Sequence, residues 1–256
     1  MLSSLKDLHH YTIAATDGDI GKVVDFYFED DTWVIRYLVI ETGEWILSRK
    51  VLISPFSIIQ ANGHERTLSV GITKEQVRNS PDIDTDQPVS RQHEMQFLTY
   101  YGYPYYWGGD GMWGGGFFPS AMLPNYVEKA ADQITRNREG PVLQSHGSDP
   151  HLRSCREVVS YHIHAQDGEI GHVDALLVDD ETWLIKYMVV NTSNWWVGHQ
   201  VLIASDWVND VSWLERSITV GLSRALIKNA PPFSSTKAMN REDELRLYHH
   251  YSRRGN

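Results

Sequence analysis

Three histidines near the start of the second half of the chain have a spacing that could bind a metal ion. His162 and His164 flank one residue on a predicted strand, so both rings face the same side of it. His172 follows across the next turn, and imidazoles grouped in this way are ligands for zinc. The corresponding positions in the first half carry threonine, alanine and lysine. The fold therefore needs no metal, and a polar, exposed strand face is the alternative interpretation.

Other groups that could carry out catalysis do not form a recognisable pattern. The single cysteine, Cys155, excludes a disulfide within the chain and favours a reducing compartment, so we expect a cytoplasmic protein. The acidic turns at 29–31 and 179–181 lack the spacing of a calcium-binding loop. No Gly-x-Ser-x-Gly nucleophile motif is present. We therefore expect a protein that is not an enzyme and has no resident cofactor.

The charge balance restricts the class of partner. The 256 residues include 23 basic and 33 acidic side chains, for a net charge of −10. Proteins that hold a nucleic-acid backbone or an anionic membrane surface need clustered basic residues, so neither partner is expected. No continuous apolar stretch approaches the roughly 18 residues of a membrane-spanning helix.

The chain contains a long internal repeat. The pattern Asp-Gly-acidic-Ile-Gly at residues 17–21 returns at 167–171, a shift of 150. Over residues 11–53 and 161–203, about 19 of 43 positions are identical without a gap. A two-copy repeat of this length indicates duplication of a whole domain rather than an array of short units.

Each copy is predicted to be β first and helical last. Short segments rich in β-branched and aromatic residues alternate with polar turns, which is typical of a sandwich or a barrel. Thr73 and Gln76 form a capping-box pattern for a short helix. Helical tails are predicted at 93–101 and 243–251. We therefore expect an all-β fold with short helices, in which full closure of each barrel leaves no exposed sheet edge.

These motifs together resemble the PRC-barrel family, in particular its bacterial tandem members. The residues that carry the resemblance are the two turns at 17–21 and 167–171, the acidic-Thr-Trp turns ending at Trp33 and Trp183, the Ile-basic-Tyr segments that follow them, and the later Trp and Val-Leu-Ile segments. The resemblance covers roughly Leu5–Tyr101 and Cys155–Tyr251. It implies two PRC-type β-barrels, each followed by a C-terminal helical tail.

The resemblance also implies how the chain is divided and what it does. The predicted parts are a first module at 1–104, a Gly/aromatic-rich and polar linker at 105–153, and a second module at 154–256. The family implies a protein-contact or regulatory role and brings no catalytic residues. It takes its name from the H subunit of the photosynthetic reaction centre, so a role associated with that complex is a further possibility by analogy.

The aromatic residues provide the candidates for binding a partner. Trp196 and Trp207 occur only in the second copy, and Tyr105, Trp107 and Trp113 lie in the linker. Tryptophan and tyrosine are enriched at binding hot spots. We expect a protein-interaction adaptor with a protein partner, as a homo-oligomer or an intrachain pseudo-dimer. The alternative is a small-ligand or metal-binding protein that uses a cleft between the barrels or the strand of His162 and His164.

Overall fold

The structure, a computed structural model, describes residues 2–43, 49–81, 89, 91–103, 105–106, 151–192, 199–234, 239 and 241–252. The chain divides into two compact units. The N-terminal unit contains Leu8–Ser154 and Glu181–Trp183. The C-terminal unit contains Met1–Asp7, Cys155–Asp180 and Leu184–Asn256.

The two copies contain the same elements in the same order. The first copy has β1 (Leu2–Ser4), α1 (Leu5–Leu8), β2 (Thr12–Ala15), β3 (Gly18–Glu29), β4 (Ile35–Thr42), β5 (Lys50–Ile53), β6 (Ile58–Asn62), β7 (Thr67–Val70), α2 (Lys74–Arg78) and α3 (Arg91–Tyr101). The second has β8 (Leu152–Ser154), α4 (Cys155–Val158), β9 (His162–Ala165), β10 (Gly168–Asp179), β11 (Ile185–Asn191), β12 (Gln200–Ala204), β13 (Val208–Ser212), β14 (Ser217–Val220), α5 (Arg224–Lys228) and α6 (Arg241–Ser252). The predicted all-β fold with short helices is confirmed.

The repeated Asp-Gly turn has a structural explanation in both copies. Asp17 accepts a hydrogen bond from the backbone N–H of Lys74 at the start of α2, at 2.8 Å. The second copy forms the equivalent bond to its own aspartate at 2.7 Å. A Cβ on Gly21 would lie 2.1 Å from the carbonyl oxygen of Glu41, so only glycine fits beside β4. The motif therefore joins the β2–β3 turn to α2 and to the neighbouring strand.

Each sheet is an open path of six strands rather than a closed ring among the described residues. The order is β5-β4-β3-β2-β7-β6 in the N-terminal unit and β12-β11-β10-β9-β14-β13 in the C-terminal unit. Neighbours are antiparallel except β2–β7 and β9–β14, which are parallel. The expected full closure is therefore not found in this part of the chain. The outer strands have only four or five residues, so each edge leaves little backbone unpaired.

A seventh strand in each sheet comes from the other copy. Strand β1 pairs with β10, with Ser3 opposite Val178. Strand β8 pairs with β3, with Arg153 opposite Phe28. Side chains add to the second pairing, because Ser154 donates a 2.6 Å hydrogen bond to Asp25. The residues that begin each sequence copy thus complete the sheet that the other copy forms.

This exchange of strands between the copies explains why the compact units do not coincide with the predicted parts of the chain at 1–104, 105–153 and 154–256. That division follows the sequence repeat, whereas residues 1–7 belong to the C-terminal unit. The described ends of the predicted linker, at 105–106 and 151–153, belong to the N-terminal unit. Both described ends of the predicted linker are therefore parts of the N-terminal unit.

Both units have apolar cores built from the repeated positions. The side chains with no exposed surface in the first copy include Ile13, Val23, Phe28, Ile35, Leu38 and Ile40. Their counterparts are Ile163, Val173, Val178, Ile185, Met188 and Val190. Trp33 and Trp183 are also buried, as expected for anchors of small cores. No helix among the described residues is long and apolar enough to cross a membrane.

The strand exchange predicts that the two halves recognise each other as separate chains. Residues 1–106 and 107–256, expressed together, should co-purify as a 1:1 complex, because each carries the strand that the other's sheet lacks. Native mass spectrometry measures the stoichiometry. A first fragment that begins at residue 5, and so lacks β1, should associate at least about tenfold more weakly if three ladder pairings contribute about 0.5 kcal/mol each. Equal association of both first fragments would contradict the exchange.

Candidate functional site

The predicted histidine site is not assembled. His162 on β9 lies directly opposite His172 on β10, and His164 lies opposite Glu169. The Nδ1 atom of His162 lies 2.9 Å from the Glu169 carboxylate, and its side chain is half exposed. Among the described residues, no group of three or more histidine, cysteine, aspartate or glutamate side chains is placed to hold a metal ion. The metal prediction therefore has no geometric support in this part of the chain.

Of the five predicted partner-binding aromatics, only Tyr105 and Trp207 lie within the described residues; Trp107, Trp113 and Trp196 lie outside them. Tyr105 is half-buried, and its hydroxyl lies 2.8 Å from the Thr99 hydroxyl on α3.

Trp207 is also half-buried. Its ring centroid lies 4.4 Å from that of Tyr251 and 5.5 Å from that of Tyr248, both on α6. Trp207 thus helps to hold α6 against its sheet.

The first polar cluster that the fold assembles lies beneath α3 in the N-terminal unit. Glu29 ends β3, Arg36 and Tyr37 lie next to each other on β4, and Glu94 lies on α3. We call these four residues the closed quartet. An Arg36 Nη atom donates to the Glu29 carboxylate at 2.5 Å, and the Tyr37 hydroxyl donates to Glu94 Oε1 at 3.1 Å. All four residues are buried, with Arg36 only 1% exposed and Glu94 0%.

Two further residues seal the closed quartet. The Tyr106 hydroxyl donates to Glu94 Oε1, and the Tyr106 ring lies against Arg36, with the guanidinium carbon 4.0 Å from the ring centroid. The Nε2 atom of His151 lies 2.6 Å from Glu94 Oε2. Each oxygen of the buried carboxylate thus has a polar partner, which offsets its loss of hydration.

The chain after α3 turns back to deliver Tyr106. We call the described residues of the stretch 103–106 the return segment. The backbone N–H of Tyr103 donates to the carbonyl of Leu98 at 2.8 Å, and its hydroxyl lies 2.7 Å from the Ser57 hydroxyl. Its ring stacks on Phe56 with centroids 5.8 Å apart. The return segment covers this side of α3, and Leu98 has no exposed surface.

The C-terminal unit contains the same four positions in chemically similar form. Asp179 ends β10, Lys186 and Tyr187 lie on β11, and Glu244 lies on α6. We call these the open quartet. Lys186 Nζ lies 3.0 Å from Asp179, and the Tyr187 hydroxyl donates to Glu244 Oε1 at 3.3 Å. The Lys186 side chain is 34% exposed, against 1% for Arg36.

The electrostatics of the open quartet follow from this partial burial. Burial by itself lowers the pKa of Lys186, but the hydrogen bond to Asp179 and the charges of Asp179 and Glu244 outweigh it and raise the pKa. Burial, with the charges of Tyr248 and Glu244, raises the pKa of Tyr187 well above its ordinary value. The open quartet thus combines two acidic side chains, Asp179 and Glu244, with one basic side chain, Lys186.

The two quartets differ in what covers them. At the shift of 150, the return segment corresponds to Arg-Arg-Gly-Asn at 253–256, and His151 corresponds to Met1. The sequence therefore offers no tyrosine and no imidazole at those positions. Tyr248 replaces the fully buried Leu98 and is 42% exposed, and Leu245 beside it is 62% exposed. We call Glu244, Leu245 and Tyr248 the α6 track.

A small cavity lies on the other side of α6. It has a volume of about 260 Å³, and Leu202, Pro231, Phe233, Met239 and Leu247 contribute to its walls. In the N-terminal unit the counterpart of Met239 is Val89, which is fully buried. Met239 is half-buried, so this position is more exposed beside α6 than beside α3.

Sequence reasoning missed the closed quartet and its cover. The repeat offered a signal, since Tyr37 matches Tyr187 and Glu94 matches Glu244 at the same shift. The partners lie far apart in sequence, however: Tyr37 and Glu94 are 57 positions apart, and so are Glu94 and His151. Cys155 is buried, which gives its thiol a packing role rather than the exposure of a nucleophile.

Because the closed quartet is covered and the open quartet is partly exposed, the same glutamate-to-glutamine substitution should cost different amounts of stability in the two quartets. Glu94→Gln removes the charge that Tyr37, Tyr106 and His151 share, so it should destabilise the protein by about 2 kcal/mol, the cost of weakened buried hydrogen bonds. Glu244→Gln, at a half-buried site, should cost no more than about 0.5 kcal/mol. Scanning calorimetry measures both. Equal losses of melting temperature would contradict the distinction between the quartets.

The comparison with protein families agrees with the fold. Residues 3–76 match the sequence model of the PRC-barrel domain. The matched range runs from β1 through β7 into α2, and it includes the part of β1 that pairs with β10. None of the curated proteins compared with the chain matches it. Residues 3–76 of the chain therefore carry a PRC-barrel domain.

Proposed function

We propose that this chain is a non-enzymatic tandem PRC-barrel protein that acts as a protein-interaction adaptor, and that the α6 track is its contact surface. The observation that carries the proposal is the exposure of Leu245 and Tyr248 on α6, because the matched positions on α3 are the half-buried Met95 and the buried Leu98. Large apolar and aromatic side chains exposed together are typical of contact surfaces.

In this proposal the two PRC-type copies have different roles. Its support is the repeated strand order together with the about 19 identities in 43 positions. The N-terminal copy uses its polar residues to hold α3 and the return segment in place. The C-terminal copy keeps the same polar residues accessible on α6, where they are available to a partner.

The chemistry of the surface favours a protein partner. The net charge of −10 is unsuited to a nucleic-acid backbone. A hollow of about 470 Å³ beside Leu245 is wide open to solvent, whereas small-molecule sites bury most of the ligand surface. The cavity of about 260 Å³ on the other side of α6 is below the roughly 300–1,000 Å³ of most such sites, and its mostly apolar walls suit a single side chain of a bound protein. The buried Cys155 is compatible with the reducing cytoplasm, where we place the interaction.

Two exposed leucines of the C-terminal unit test this proposal. Leu245→Asp places a charge in the α6 track and should weaken capture of the partner from a host-cell extract by at least about tenfold, the effect of losing roughly 1.4 kcal/mol at an interface. Leu214→Asp, at a residue 96% exposed between β13 and β14, should leave capture unchanged. Quantitative mass spectrometry of the captured proteins measures both.

Because both leucines are exposed, neither substitution should alter the melting temperature by more than a degree or two. This control separates loss of the surface from loss of the fold. Capture that is equal for the wild-type protein and the Leu245→Asp variant would contradict the assignment of the α6 track.

A further inference from the structure

The return segment shows what kind of chain fits along this helix. It runs antiparallel to α3, since Tyr103 bonds to the carbonyl of Leu98 and Tyr106 reaches Glu94, one turn nearer the helix start. Tyr105 adds a hydrogen bond between its hydroxyl and that of Thr99. Closely spaced tyrosines after α3 therefore satisfy this surface of the helix.

The contacts at Glu94 define the chemistry of the fit. A tyrosine hydroxyl binds one carboxylate oxygen, a basic imidazole from His151 binds the other, and the tyrosine ring covers the guanidinium of Arg36. The hydroxyl and the imidazole compensate the buried negative charge, and the ring contacts the positive one.

The open quartet presents the same receiving groups. Glu244 lies at the helix position of Glu94, and Lys186 lies at the strand position of Arg36. The contact that the described residues provide for the Glu244 carboxylate is the 3.3 Å hydrogen bond from Tyr187. With two acidic side chains to one basic side chain, the open quartet has complementary charge for a further basic side chain.

Tyr248 makes the α6 track differ from the matching surface of α3. It lies at the position of Leu98, and its ring centroid is 6.4 Å from that of Tyr187. Its side chain is 42% exposed, so an aromatic side chain with a polar group lies at the surface where α3 has a buried leucine.

We propose that the α6 track binds an extended segment of a partner protein that carries a tyrosine with a basic residue beside it. The tyrosine docks on Glu244 and Lys186 as Tyr106 docks on Glu94 and Arg36, and the basic residue takes the role of His151. This assignment rests on the proposed function, because it names the partner chemistry for the same surface.

Peptides supply a direct test on the full chain. The probe has the sequence of residues 99–106, Thr-Tyr-Tyr-Gly-Tyr-Pro-Tyr-Tyr, followed by one lysine. Isothermal titration calorimetry should show saturable 1:1 binding. The Glu244→Gln variant should bind about tenfold more weakly, because a charge-assisted hydrogen bond is lost. The Leu214→Asp variant should bind as the wild-type protein does.

Two altered peptides test the two parts of the proposed chemistry. Phenylalanine in place of the last tyrosine should weaken binding about fivefold, and glutamate in place of the lysine about tenfold. Absence of saturable binding, or equal affinity of the wild-type and Glu244→Gln proteins, would overturn the proposal. Equal affinity for the altered peptides would overturn the assigned chemistry.

A second copy of the chain is the competing occupant. Sedimentation velocity should show a monomer for the wild-type protein at the concentrations used for titration. A dimer that dissociates in the Leu245→Asp variant would show that another copy occupies the track, and would overturn the proposal.

The outcomes separate this inference from the proposed function. If capture of the partner depends on Leu245 but the peptides do not bind, the contact surface remains and its assigned chemistry is wrong. If the Leu245→Asp variant still captures the partner and the peptides do not bind, both are wrong.

Discussion

The cost of burying the Glu94 carboxylate governs the organisation of the N-terminal unit. A carboxylate without exposed surface needs polar partners for both oxygens, since an uncompensated charge in a protein interior costs several kcal/mol. Tyr37 comes from the sheet itself, but Tyr106 and His151 come from the two ends of the segment that joins the copies. Satisfying one side chain thus fixes both the return segment and the start of the second copy.

The residues after His151 continue directly into the exchanged strand β8. Leu152–Ser154 pair with β3, and Arg153 Nε donates to Asp30 at 3.1 Å. The polar cluster and the strand exchange are therefore parts of one arrangement. The C-terminal unit receives its exchanged strand, β1, but has no histidine at the position that precedes it. Its glutamate stays half-buried, and α6 keeps a face accessible.

Local patterns predicted the parts of the fold that are determined locally. The capping box at Thr73 and Gln76 is confirmed, with both reciprocal hydrogen bonds formed. The glycine-rich turns and the strands around them also form as expected, because close backbone approach and β-branched side chains leave few alternatives. The shared strand order of the copies follows from the sequence repeat.

Features that depend on distant partners could not be predicted in this way. Strand β1 has only three residues, too few to show a periodicity, and nothing in Leu2–Ser4 indicates that it pairs with β10 rather than with β3. The role of His151 requires knowledge that α3 places Glu94 beside it. The histidines of β9 and β10 gave the stronger local signal, yet no set of three ligands among the described residues is placed to hold a metal ion.

Hydrogen exchange followed by mass spectrometry on the full chain tests most directly whether one copy is closed and the other open. We predict slow exchange of the amides in Arg91–Tyr101, which the return segment covers, and faster exchange in Arg241–Ser252. The matched positions of the two helices provide the internal reference. Equal protection of α3 and α6 would show that the two copies are equally closed, because the exposed track on α6 would then be no less stable than its covered counterpart.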